Sequence, residues 1–242
     1  MYSVIDGEVL LALWERALVH APDERGVALL QATFDEFPST SSLGTCNLRL
    51  AELHARLFGR ELALTSHCPA CATLAQFTGD CAALVATANT PAVPVVASLR
   101  VGEFLLEFRL PNTVDVKAAS KYANVDEFAR HLLERCILAC ACDGEAMMAS
   151  DLPTTVLDAL SRHLEMLDPA ASVSFAVTCP QCAVEWDARL DLAEALWRKL
   201  QVTAERFLLD IDILARTYGW TEGEVMSLSA TRRAAYVQMA TA

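Results

Sequence analysis

Cys68-Pro69-Ala70-Cys71 lies between ELALTSH (61–67) and ATLAQF (72–77), and the same order returns at Cys179-Pro180-Gln181-Cys182, between VSFAVT (173–178) and AVEWDARL (183–190). Each copy reads as a strand, a tight turn and a second strand. A Cys-x-x-Cys turn offers two thiolate ligands from one bend, and two such turns brought together close a tetrahedral four-sulfur site. Proline in the second position pre-sets φ for the turn and removes a donor the turn does not need. The pattern therefore predicts one structural Zn2+ held by Cys68, Cys71, Cys179 and Cys182, with no open position for a catalytic water. Ala72 and Ala183 stand where a zinc knuckle usually has glycine. A positive φ at those positions is costly for an L-residue. Two other readings of the same cysteines stay open: a redox dithiol, and reduced thiols in surface turns without metal. The redox reading is weakened because both motifs lead into strand-like sequence, whereas a reactive Cys-x-x-Cys usually opens a helix.

The composition around these motifs narrows the class. The chain has 242 residues, 54% of them hydrophobic, enough for a sizeable core and too apolar for a disordered chain. Nineteen Lys+Arg against 31 Asp+Glu give a net charge of −12, which disfavours nucleic acid as a partner. Nine cysteines, an odd number, follow an N-terminus (MYSVIDGEVLL) that lacks the basic and apolar regions of a secretory signal. A reducing, cytoplasmic setting is expected. Residues 81–99 carry no charge, but Thr87, Asn89, Thr90, Pro91 and Pro94 interrupt them. That run reads as a helix end followed by an extended linker, and no membrane span is expected.

The chain reads as α+β, mostly helical, with a small zinc-ribbon-like β unit built from the two distant knuckles. Helical spacing marks Glu8–His20, Asp23–Phe34 and a third run closed by Gly59. VASLRVGEFLLEFRL (96–110) reads as a hairpin turning near Val101-Gly102. Asn124, with Glu127 three residues on, opens a helix expected to run to about Cys140. Pro153 and Asp168-Pro169 bracket another. From about Asp191 to Thr217, Ala193, Leu196, Leu200, Thr203, Phe207, Ile211, Leu214 and Tyr218 form one apolar stripe. Gly219 stops that helix, and Thr221 with Glu224 starts a short one. The resulting division is an N-terminal helical segment (1–60), an α+β core with both knuckles (61–190), and a long helix with a C-terminal arm (191–242).

Other candidate chemistry is thin. Cys136, Cys140 and Cys142 in CILACAC have no fourth ligand nearby and read as core residues, and Cys46 and Cys81 read as core or helix-face residues. His67 adjoins the first knuckle and reads as a turn histidine, with ligand replacement as the alternative. His20, His54, His131 and His163 are isolated on helices. No Ser/His/Asp spacing, Cys/His spacing or glycine-rich phosphate loop is present. Neither an enzyme nor a small-molecule substrate is expected.

At the C-terminus, Tyr218-Gly219-Trp220-Thr221-Glu222-Gly223-Glu224-Val225-Met226-Ser227-Leu228, then Arg232-Arg233 and Tyr236, resembles the YGW-x-E-x-E ending of the T-even-type baseplate or baseplate-hub assembly chaperones of phage tails and contractile injection systems. The likeness continues upstream in SLGTCNLRLAELHARLFGREL (42–62), RLPNTVD (109–115), LPTTVLDALSRHLEMLDPAASV (152–173) and LDLAEALW (190–197). It spans roughly residues 42–236 and lies in the order of short segments. Ala72 and Ala183 depart from the family's usual CPxCG. The resemblance implies a non-enzymatic assembly factor or structural component, with baseplate, hub or tail proteins as partners. Tyr218, Trp220, Met226, Leu228, Arg232, Arg233 and Tyr236 are candidate contact residues, since aromatic and Arg side chains dominate binding hot spots. The alternative for Trp220 is that it packs back onto the long helix. Residues 190–242 carry 6 Lys+Arg and 7 Asp+Glu against 13 and 24 in residues 1–189, so the arm is near neutral beside an acidic body. A zinc-ribbon adaptor unrelated to tails remains the alternative to the tail reading.

Overall fold

The computed structural model describes residues 7–86 and 96–242. Three helices come first: α1 (Gly7–Leu18), α2 (Arg25–Thr33) and α3 (Leu43–Phe58). Ser42 caps α3 by accepting from the Thr45 amide, and Gly59 at φ +89° ends it. Strands β1 (Glu61–His67) and β2 (Leu74–Asp80) form an antiparallel hairpin around the first knuckle, in register from Glu61↔Asp80 to His67↔Leu74. Along β1, Leu62 and Leu64 are buried while Glu61, Ala63 and Thr65 face out, the period-2 alternation of a half-buried strand. The short helix α4 (Cys81–Ala86) follows. The linker expected after it lies at residues 87–95, outside the described residues.

The next stretch builds a unit of its own. Strands β3 (Ala97–Val101) and β4 (Phe104–Phe108) form the expected hairpin, and helices α5 (Thr113–Ala119) and α6 (Val125–Cys136) come next. Strands β5 (Ile137–Cys142) and β6 (Glu145–Ala146) complete an antiparallel sheet in the order β3-β4-β5-β6, which helix α7 (Thr154–Leu167) packs against. Here one expectation is corrected. The helix opened by Asn124 ends at Cys136 rather than near Cys140, and residues 137–142 are a strand. The run ILACA has no polar residue to reveal a period, and pairing with β4 decides in favour of the strand.

The second knuckle hairpin, β7 (Val173–Thr178) and β8 (Glu185–Leu190), is followed by the long helix α8 (Leu192–Tyr218), then α9 (Glu222–Met226) and α10 (Ala230–Ala240). Gly219 at φ +69° ends α8 in the left-handed conformation, and Thr221 and Glu224 make a reciprocal capping box. Helix α10 packs back along α8.

The main lobe consists of α1–α4, both knuckle hairpins and α8–α10. Its core joins Leu10, Leu13, Leu29, Leu30, Leu50 and Leu53 to Leu62 and Leu64 and to Leu192, Leu196, Trp197, Leu200 and Phe207. It therefore draws on all three stretches into which the sequence was divided. Burying each such leucine contributes roughly 1.5–3 kcal/mol relative to leaving it exposed. The inserted lobe, residues 97–167, has its own interior: Leu106, Leu152, Val156 and Leu157, with Phe108, Leu160 and Leu164 beside them.

The lobes meet at the start of α3. The Leu43 amide donates to Pro111 O at 3.0 Å, and the Gly44 amide donates to the buried Asp168 carboxylate at 3.0 Å. A Cβ on Gly44 would lie 1.7 Å from Asp168 Oδ1, so this close approach requires glycine. Among the described residues no helix is long and apolar enough to cross a membrane.

Candidate metal centre

Both knuckles fold the same way because the same backbone bonds close them. The Cys68 amide donates to Thr73 O at 2.9 Å and the Ala72 amide to Cys68 O at 2.9 Å. In the second copy the Cys179 amide donates to Val184 O at 2.9 Å and the Ala183 amide to Cys179 O at 3.1 Å. Reversing the chain this tightly puts the residue after the second cysteine in the left-handed region: φ is +57° at Ala72 and +59° at Ala183. The cost anticipated for alanine at these positions is therefore present, twice. Strained backbone of this kind persists where surrounding structure holds it.

Face-to-face packing of the hairpins, with the Phe77 and Phe175 rings 5.8 Å apart, brings the two turns together. Cys68 Sγ lies 3.6 Å from Cys182 Sγ, and Cys71 Sγ lies 3.5 Å from Cys179 Sγ. All four sulfurs lie within 4.8 Å of one another. Cys68 and Cys179 are buried, whereas Cys71 and Cys182 face solvent. The Gln181 and Cys182 amides point at Cys179 Sγ from 3.4 and 3.5 Å, the arrangement that supports a thiolate.

The thiols are electrostatically unequal. Hydrogen bonding with the Thr73 hydroxyl and amide lowers Cys71 to about 6. The Cys182 and Gln181 amides lower Cys179. For Cys182 the Val184 amide favours the thiolate, but the facing sulfurs and desolvation outweigh it and push the thiol up to about 12. Four thiols in mutual contact cannot all ionise without a cation among them, and a divalent ion removes that restriction. The fit to a metal is also geometric. A zinc–sulfur bond of about 2.3 Å places the sulfurs of a regular tetrahedron about 3.8 Å apart. The two close pairs here are near that edge length, so these four cysteines present a ligand set for one ion.

His67 stays outside the cluster. Its Nδ1 lies 3.0 Å from Ala72 O, where it ties the strand to the knuckle. Thr73 has no counterpart in the second knuckle, which has Val184 there, and no spacing rule singled it out. The remaining cysteines are mostly core residues, as expected. Burial pushes Cys46 and Cys81 up to about 11 and Cys136 to about 12. Cys140 donates to Met147 O at 3.1 Å. Cys142 is half-buried at the end of the inserted sheet, beside exposed Glu103 and Asp143. The sequence also gave no sign that buried His54 meets buried Cys81, with Nδ1 3.4 Å from Sγ. Neither group faces solvent, and burial lowers His54, so the pair is structural.

The candidate partner-binding residues are largely engaged within the arm itself. The Tyr218 ring stacks on Trp220 at 4.9 Å, and Tyr236 meets both edge-on at 6.0 and 4.9 Å. Trp220, Leu228 and Tyr236 pack around Leu214, Val225 and Val237, and Met226 packs on the main core. The Arg233 guanidinium lies 3.7 Å over the Phe207 ring and faces Asp210. Arg232 is exposed in the first turn of α10, and Tyr218 is exposed at the end of α8. Comparison of the chain with family models, curated proteins and solved structures gives no match.

Proposed function

We propose that the protein is a non-enzymatic assembly factor or structural component of a contractile-tail baseplate, held in shape by one structural zinc on Cys68, Cys71, Cys179 and Cys182. The convergence of two turns from opposite ends of the inserted lobe carries the metal part of this reading. Four sulfurs fill a tetrahedron and leave no position for water, so bound zinc supplies folding energy rather than Lewis-acid chemistry. The tail part rests on the order of the 42–62, 109–115, 152–173 and 190–197 segments and on the Tyr218–Leu228 ending. The acidic body and near-neutral arm support docking on protein rather than nucleic acid, with Tyr218 and Arg232 as the accessible members of the contact set.

Co-expression with candidate baseplate and hub proteins of a contractile tail tests this reading. The full chain is expected to co-purify with at least one of them, and a Tyr218→Ala/Arg232→Ala variant that keeps its zinc is expected to release it. If the chain retains no tail protein and its deletion leaves tail assembly intact, the tail reading is wrong.

A further inference from the structure

We infer that the four cysteines act as a local gate: they hold shut the knuckle ends of the two hairpins, roughly residues 65–78 and 176–187, and leave the rest of the fold independent of the metal. The inference rests on the metal occupancy proposed above and concerns what that occupancy controls.

The hairpins are anchored unequally along their length. At the end away from the knuckles, Leu62 and Leu64 belong to the main core, and Phe77, Val173, Phe175 and Leu190 pack against it. At the knuckle end the shared interior shrinks to Ala75, Val177 and Ala188, with Phe77, Phe175 and Trp186 only partly covered. Two of those three buried residues are alanines, which contribute little apolar area. One side-chain hydrogen bond crosses there, Trp186 Nε1 to Ser66 Oγ, at a long 3.4 Å. Ala72 and Ala183 add backbone strain at the same end. Two-stranded hairpins are marginal in water without a substantial apolar face, so little besides the sulfurs holds this end together.

The inserted lobe depends on none of this. Its core is separate, and among the described residues its contacts to the main lobe include those at the start of α3 and of Lys117 with Asp23 and Glu24. The α3–α8 packing likewise belongs to a core that contains none of the four cysteines. Opening the site thus frays two strand ends and uncovers Ala75, Val177 and Trp186, while the flanking helices and the inserted lobe persist.

Hydrogen-exchange mass spectrometry on the full chain tests the gate. It compares zinc-loaded protein, the same protein after chelation at constant pH, and a Cys68→Ser/Cys179→Ser variant. Amides in 65–78 and 176–187 are expected to lose about tenfold or more of their protection in both metal-free forms. Segments 97–167 and 192–218 are expected to change by less than about twofold, and zinc is expected to restore the chelated sample only. Loss of protection spread evenly over the chain, or none in the knuckle ends, overturns the gate while leaving the metal reading intact. A chain that takes up no zinc overturns the metal reading itself.

Discussion

In the main lobe, segments far apart in the chain are joined at an exposed end by four sulfurs. In the inserted lobe the equivalent task falls to one buried carboxylate. Asp115 accepts from Arg109 Nη1 and Nη2 at 2.5 and 2.9 Å, from Arg135 Nε at 3.1 Å and from the Asn112 amide at 3.1 Å. These bonds pin the first turn of α5 to the end of β4 and the last turn of α6. Burial would raise Asp115, but the Arg109 guanidinium, the Asn112 amide and Arg135 outweigh it and hold the carboxyl below its usual range. The difference follows from core size. Asp115 is itself buried, and Leu106, Phe108 and Leu160 of the same lobe are fully buried. Behind the sulfurs lie alanines and half-covered rings, where a salt bridge would be screened by water, and a metal–thiolate centre is the stronger device.

The contrast can be broken most forcefully at Asp115. Asp115→Asn leaves two partly exposed guanidinium groups without their counter-charge and is expected to destabilise the inserted lobe by about 1–3 kcal/mol in denaturant titrations. Zinc content should remain unchanged; loss of zinc would show that the lobes are not independent. Acidification gives the next largest effect and separates the lobes by pH. Buried His54 has its pKa lowered by desolvation, so the unfolded chain takes up a proton that the folded chain refuses. Stability of the main lobe is therefore expected to fall as pH drops through about 6.5, and His54→Gln should flatten that slope. Asp115 titrates oppositely placed: its contribution stays intact until pH falls below about 3.9 and is lost towards its lowered folded value. Circular dichroism melts between pH 7 and about 2 would follow both, and a single pH midpoint shared by both variants would contradict the separation.

The smallest effect is at the strained turns. Alanine in the left-handed region costs roughly 1–2 kcal/mol, and glycine returns roughly 0.5–1 kcal/mol of that as chain entropy. Ala72→Gly and Ala183→Gly are thus each expected to raise stability by up to about 1 kcal/mol. Asp143, at φ +49° in the inserted lobe, is an ordinary occupant of that region, so Asp143→Gly should gain less. Thermal midpoints of the three variants decide it.

What could be read from the chain follows the range of the signals. The knuckle hairpins, the Val101-Gly102 turn and the stops at Gly59 and Gly219 rest on punctuation within a few residues. The stripe on α8 was read correctly in outline, but over 27 residues its centre drifts, and Leu192, Trp197 and Ala204 are buried where Thr203 is only half covered. The run at 137–142 gave no period, so its strand pairing stayed hidden. The four-cysteine cluster was legible because the motif repeats. The contacts of Asp115 with Arg135, His54 with Cys81 and Gly44 with Asp168, separated by 20, 27 and 124 positions, had no local pattern to announce them.

Metal analysis of the full chain, purified without chelator and compared with the Cys68→Ser/Cys179→Ser variant, tests the central claim most directly. The account predicts about one zinc per chain in the native protein and none in the variant. A native protein free of zinc, or a variant that still carries it, would contradict the account.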